Sequence, residues 1–417
     1  MNLTKEQQLA VDLEGSNIIV SAGAGSGKTA VLSERVIRKL KDGVDIRDIL
    51  ILTFTNEAAG EMSTRIRKKM KKAGLDEQLV FLDQAYIMTF DAFALNLVKK
   101  YHYILNMSKN IGVIDESIID LKKKKFLEEI FLSLYEEKNS NFLEMINNFT
   151  RLDDDTIVEA ILNINECLDL KYDKDKYLDS YINNFYSDTY VNKIFDEYFM
   201  YVKELSLKLE DLVLSIENFM DDASYEKVYD TLSKLFRPNK YDDLYRYKDV
   251  TLPKFMKLDS DGIKIKEEIK DTFSELKELI YYSEDELKSY YLDTKKYVEV
   301  IIEIIKMLDE KVNKYKYEHN AFEFSDIAKL AIKIVAEHED IRLELKNKFN
   351  EIMIDEYQDT NDLQETFISF LENDNVYMVG DIKQSIYRFR NANPMIFKEK
   401  YDKYTNNDGG KKIDLLK

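Results

Sequence analysis

The sequence predicts an α/β protein in which a parallel sheet covered by helices is interrupted by a large all-helical insertion. Three observations predict it. Five short apolar runs end in polar residues, each followed by a helix-like or loop segment: SNIIVS (16–21), DILILTFT (48–55), AYIMTF (85–90), EIMIDE (351–356) and VYMVGD (376–381). Runs of this kind suit strands buried on both faces of a parallel sheet. The first run opens into AGAGSGKT (22–29), a glycine loop with a helical pattern behind it. Between the third and fourth runs, residues 116–320 hold Gly262 alone of the chain's 12 glycines. Stretches there such as DTFSELKELIYY and KKYVEVIIEIIKML place apolar residues at three- and four-residue steps, as helices do.

Taken in order, Thr4-x-x-Gln7 is a capping box that starts a first helix. SNIIVS is the first strand. The loop after it follows the phosphate-cradle pattern G-x-x-x-x-G-K-[ST], except that Ala22 stands at the first position. Gly23, Gly25 and Gly27, with Ala24 and Ser26 between them, still let the backbone turn its N–H groups around phosphate oxygens. In TAVLSERVIRKL, Ala30, Val31, Ile37 and Leu40 recur near helical spacing. Strand, glycine loop and helix N-terminus together make an anion site. Lys28 would reach the β- and γ-phosphates of a nucleoside triphosphate, and the Thr29 hydroxyl would ligate Mg²⁺.

EIMIDEYQDT supplies the facing half. Ile352, Met353 and Ile354 form a buried strand, and Asp355 and Glu356 emerge at its end. Adjacent carboxylates repel unless a cation or a catalytic task accounts for them. Asp355 is expected to partner Mg²⁺, directly or through water, across from Thr29. Glu356 is expected to orient and deprotonate the attacking water. In VGDIKQSIYRFR, Gln384 is suited to sensing a γ-phosphate. Tyr387, Phe389 and Arg390 combine aromatic faces with a cation, which suits either stacking on unpaired bases or ordinary core packing.

Composition sets bounds. The net charge of −18 is unlike a basic nucleic-acid binder, but it is unevenly placed. Residues 1–115 carry 16 basic against 14 acidic side chains, residues 116–320 carry 31 against 46, and residues 321–417 carry 14 against 19. The acidity belongs to the insertion, as a solvated helix surface or a partner-binding face. Cys167 is the only cysteine, so no disulfide forms within the chain. No apolar run approaches the ~18 residues of a spanning helix. The start, MNLTKEQQ, lacks the apolar core of a signal peptide, which predicts a cytoplasmic protein.

The set LTKEQQLAV, AGAGSGKT, TFTNEAAGEM, TFDAF, FEFSDI, DEYQDT and GDIKQSIYRFRNANP resembles superfamily 1 DNA helicases of the UvrD/Rep/PcrA kind in content, order and spacing. Lys383 before Gln384, the tail RFRNANPMIFKEKY and the long helical insertion resemble the AddA-type helicase/nucleases among them. Motif matches cover roughly residues 1–105 and 320–400, and alanine at position 22 is common in the family. The resemblance implies a RecA-like ATP-binding domain in two parts, 1–115 and 321–417, around a helical insertion at 116–320. It implies that Gln7 reads adenine, alongside its capping role. Phe54, Thr55 and Asn56, then Thr89 and Phe90, would contact single-stranded DNA, with Asp91 standing where a histidine is common. Gln358 and Asp359 would link the hydrolysis site to the DNA-facing motif.

The implied activity is an ATP-dependent helicase that translocates on DNA, with ATP and Mg²⁺ as cofactors. An AddA-type protein would also process double-strand breaks beside an AddB-type partner protein. The alternatives are a plain UvrD-like repair helicase without nuclease, or a module that holds ATP and DNA without turnover. The chain ends at GGKKIDLLK with no arginine after Arg390, so an N-terminal part of a longer protein is expected.

Overall fold

The computed structural model describes residues 3–23, 25–150, 153–256, 258–381, 383 and 392–415. The strands are β1 Ile18–Ala22, β2 Ile49–Thr53, β3 Tyr86–Thr89, β4 Gly112–Val113, β5 Ala321–Phe322, β6 Glu351–Ile354, β7 Val376–Gly380 and β8 Lys411–Leu415. Six of them form one sheet in the order β3-β2-β6-β7-β1-β8, and every pairing is parallel. The five apolar runs of the sequence are β1, β2, β3, β6 and β7. The sixth strand, β8, was not expected. Its sequence KKIDL is charged, and it lies at the sheet edge with only Ile413 and Leu415 buried. A second, two-stranded sheet pairs β4 with β5.

Alternation along the strands builds a core on each face. Ile19, Leu50, Leu52, Ile352, Ile354 and Met378 point to one side. There they meet the helices Phe90–Lys100, Phe324–Glu337 and Asp362–Leu371. Ile18, Val20, Ile49, Ile51, Met353 and Val379 point to the other, against the helices Lys28–Lys41 and Asn56–Ala73. A parallel sheet needs both faces covered, which is why β2 is buried at all five positions.

Among the described residues, every element from Glu116 to His319 is helical. The chain divides into two compact units: Met1–Ser133, Leu152–Lys174 and Ile305–Lys417 form one, and Leu134–Arg151 with Asp175–Ile304 form the other. The second has its own core, in which Val202, Leu205, Leu209 and Val213 of the helix Asp188–Ser215 meet Ile269, Phe273 and Leu276 of the helix Ser260–Leu279. Among the described residues, no helix is long and apolar enough to cross a membrane.

Candidate nucleotide site

β1 ends at Ala22, and the chain turns through Gly25 and Gly27 at φ 77° and 87°. Both lie in the left-handed region, which glycine adopts without penalty. Gly27 is the N-cap of the helix Lys28–Lys41, and among the described residues no side chain caps that end. Its first N–H groups are placed to receive an anion. Behind the loop, Gln7 Nε2 donates to the Ser26 carbonyl at 2.9 Å. The expected capping box also forms, so Gln7 closes the first helix and braces the loop together. A Cβ at Gly27 would sit 3.1 Å from Gln7 Nε2, which makes the bracing close. The Ser26 hydroxyl is buried with no partner among the described residues, and Thr29 is half-buried on the first helical turn. Ala24 lies outside the described residues.

β6 delivers Asp355 and Glu356 to the same end of the sheet. Glu356 takes a left-handed conformation, φ 52° and ψ 44°, which costs a non-glycine residue on the order of 1–3 kcal/mol. This turn brings its carboxylate to 3.2 Å from Lys28 Nζ and 2.7 Å from Gln358 Nε2. Burial, reinforced by the Glu356 charge, pushes the Asp355 carboxyl up to about 6. The bond from the Glu356 N–H and the charges of Lys28 and Arg65 offset part of that rise. Burial and the Glu356 charge also push Asp359 up to about 6, and its Oδ1 is buried without a partner among the described residues. Gln358 continues the chain of contacts: its Oε1 accepts from the Asp381 N–H at 2.9 Å, just after β7. Asp381 in turn accepts from the Lys383 N–H. Gln384, Tyr387, Phe389 and Arg390 lie outside the described residues.

A pocket of about 230 Å³ opens beside the carboxylates. Phe54, Thr89, Asp91, Asp355, Glu356 and Thr360 are among its walls. Thr55 and Thr89 are N-caps, accepting from the N–H groups of Ala58 and Ala92. They fix where the helices behind the second and third strands begin. Asn56 is exposed on the first turn of its helix. Phe90 has a second role that its motif did not announce. The residue is 6% exposed and its ring meets Phe367 edge-on at 5.4 Å, so it anchors the segment in the core, while it also lines the pocket beside Phe54 and Thr89.

A family model described as the UvrD/REP helicase N-terminal domain matches residues 3–405. The chain belongs to the UvrD/REP helicase family. It is similar to proteins named as subunits of an ATP-dependent helicase/nuclease. That of Lactobacillus johnsonii is 32% identical over 99% of this chain and 38% of its own length. That of Ligilactobacillus salivarius is 32% identical over 97% and 36%, and that of Clostridium novyi 32% identical over 99% and 37%. The chain thus spans less than two-fifths of the length of these relatives.

Within this UvrD/REP domain, the fit of a divalent cation can be judged from the donor set. Among the described residues, no group of three His, Cys, Asp or Glu is placed to hold a metal. A buried carboxylate pushed up to about 6 is nonetheless a group that a cation would discharge. Thr29 and Asp355 are the side chains that would hold Mg²⁺, with phosphate oxygens and water completing its shell. Two residues at the site were not anticipated. Asp381 ends an apolar run as Asp355 does, a signal the sequence carried. Arg65 is exposed on the helix Asn56–Ala73, and nothing in its local sequence marks its action on Asp355.

Proposed function

We propose that this chain is the ATP-binding N-terminal part of a DNA helicase that translocates on single-stranded DNA by ATP hydrolysis. Its setting is an AddA-type helicase/nuclease that processes double-strand breaks for recombinational repair. The observation that carries the reading is the closure of Lys28 on Glu356 at the mouth of an uncapped helix, with the pocket holding Phe54 and Thr89 alongside. The names of the relatives support the assignment to a helicase/nuclease. An AddB-type partner protein, duplex as well as single-stranded DNA, and a cytoplasmic location complete the proposal. So does the division into RecA-like parts at 1–115 and 321–417 around an insertion at 116–320.

In the mechanism, incoming phosphates take Lys28 from Glu356, so nucleotide arrival frees the carboxylate. Gln7 holds the loop from behind and reads the adenine edge. Glu356 then orients the water and accepts its proton, while Gln358 keeps the carboxylate in place. Thr29 and Asp355 would hold Mg²⁺, which when bound would neutralise charge at the phosphates. Gln384 senses the γ-phosphate, and Tyr387, Phe389 and Arg390 meet the DNA strand with Phe54, Thr55, Asn56 and Thr89. A fluorescent ATP analogue titrated into wild type and Lys28→Ala tests the reading. Equal affinity in the two would overturn it.

A further inference from the structure

The helix that carries Lys28 and the strand that carries Glu356 are tied together a second time, deep below the site. Arg35 lies seven residues after Lys28, about 10 Å further along the helix. It is 1% exposed, and a buried guanidinium is tolerated only when its donors are used. Its Nε donates to both carboxylate oxygens of Glu351 at 3.0 Å, and its Nη2 to Oε1 at 2.5 Å. Nη1 donates to the carbonyls of Ala10 and Val11 at 3.0 and 3.1 Å. These are last-turn carbonyls of the helix Lys5–Asp12, which carries Gln7. The guanidinium carbon lies 4.4 Å from the centroid of the Tyr377 ring of β7, over its face. Glu351 is the first residue of β6, and Asp355 and Glu356 follow its last.

The result is a closed frame. Lys28 and Glu356 form its upper rung at 3.2 Å, Arg35 and Glu351 its lower rung at 2.5 Å, and the helix and β6 are its sides. We propose that Arg35 and Glu351 are a positioning pair for hydrolysis: they set the axial register of the phosphate-loop helix against β6, and with it the placement of Glu356 relative to the nucleotide that Lys28 holds. The proposal rests on the reading of Lys28 and Glu356 given above. The upper rung must open when phosphates arrive. The lower rung, bidentate and out of water, stays closed and keeps the register through that exchange.

The test replaces both charges with apolar residues of similar volume, Arg35→Met with Glu351→Met, in the full-length protein. Lys39 Nζ, 3.6 Å from the same Glu351 carboxylate, keeps Glu14 at 3.3 Å and Asn350 at 3.0 Å, so the double variant leaves no cation without a partner, and such substitutions commonly leave a folded protein. The measurements are the melting temperature, the affinity for Mg-ATP, and DNA-stimulated phosphate release at saturating ATP. The expected result is a kcat lower by roughly 10- to 100-fold, as for catalytic groups displaced by ~1 Å, with ATP affinity within about threefold of wild type. A folded double variant with wild-type kcat would overturn the proposal. Should the double variant not fold, Arg35→Lys decides. It keeps a charge for Glu351 but loses the planar fork, and wild-type kcat in that variant overturns the pair's role. Wild type without any turnover, or Lys28→Ala with full binding, would instead count against the proposed function.

Discussion

Lys28 and Glu356 lie 328 positions apart in sequence and 3.2 Å apart in space, and Glu356 adopts a left-handed backbone to reach the lysine. Gln358 takes a share of the same carboxylate at 2.7 Å. In this arrangement the phosphate-loop lysine has a ready counter-ion before nucleotide arrives. Under the proposed function, nucleotide binding would be an exchange of anions at Lys28, and hydrolysis would begin with a carboxylate just released.

Glu356→Gln should bind Mg-ATP at least as tightly as wild type, because the amide competes less for Lys28. Hydrolysis should fall by about 10²-fold or more, since an amide cannot accept the proton of water. Equilibrium titration and steady-state phosphate release on the same preparations check both halves. Turnover at the wild-type rate would remove Glu356 from the role of base.

Asp355 gives a pH signature. Its folded-state value of about 6 lies above the ordinary 3.8, so the folded protein holds this proton more tightly than the unfolded chain. Stability from this group is fully present below about pH 4 and is lost as pH rises through about 6. Asp355→Asn, neutral throughout, should stabilise the nucleotide-free protein above pH 7 by on the order of 3 kcal/mol at most, and raise its melting temperature accordingly. The gain should shrink steadily from about pH 6 to about pH 4. The variant should also lose the further stabilisation that Mg-ATP gives wild type. Thermal melts across this range, with and without Mg-ATP, are the measurement, and a gain independent of pH would contradict the assignment.

How much of this was legible in the sequence depended on range. β1, β2, β6 and β7 could be read because a strand buried on both faces is written as one continuous apolar run, and β3, half-buried at the opposite edge from β8, still carries one. β8 could not, because an edge strand keeps charges, and KKIDL shows only two apolar positions. β4 and β5 are two residues each, too short for any period. The capping box at Thr4 and Gln7 was legible because it is local, whereas the bond from Gln7 to Ser26 is not. Phe90 shows the opposite limit: its motif marks it for DNA and it does line the pocket, but nothing in the motif says that its ring also packs on Phe367 in the core. The Arg35–Glu351 pair spans 316 positions, and nothing in either local sequence announces it.

Phe54 and Phe90 both line the pocket, but they differ in burial and should separate under mutation. Phe54 is half-buried and lines the pocket, so Phe54→Ala should weaken single-stranded DNA binding by roughly 1–3 kcal/mol, the worth of one stacked base. Phe90→Ala should instead destabilise the fold by about 3–5 kcal/mol, because it empties a site packed on Phe367. Oligo-dT binding by anisotropy and denaturant unfolding distinguish the two. A Phe90 variant that unfolds like wild type but binds DNA poorly would restore the direct contact.

Gly380, the last residue of β7, packs directly against Gln358. A Cβ there would meet Gln358 Oε1 at 2.5 Å, Phe397 Cε2 at 2.9 Å and the Gln358 backbone nitrogen at 3.2 Å. Gln358 is 2% exposed and bonded at both ends, to Glu356 and to the Asp381 N–H, so its amide has little room to step aside. Gly380→Ala should force that amide off one of its partners at an overpacking cost of about 1–3 kcal/mol, which a folded domain can absorb. Lys28, Thr29 and the loop glycines are untouched, so ATP binding should persist. What should be lost is the link: the ratio of phosphate release with oligo-dT to release without it should fall by about tenfold, since Glu356 and Asp381 are no longer held by one amide. The ratio is the decisive readout, because general destabilisation lowers both rates together and leaves it unchanged. A folded Gly380→Ala protein with the full wild-type ratio would show that Gln358 does not carry the coupling.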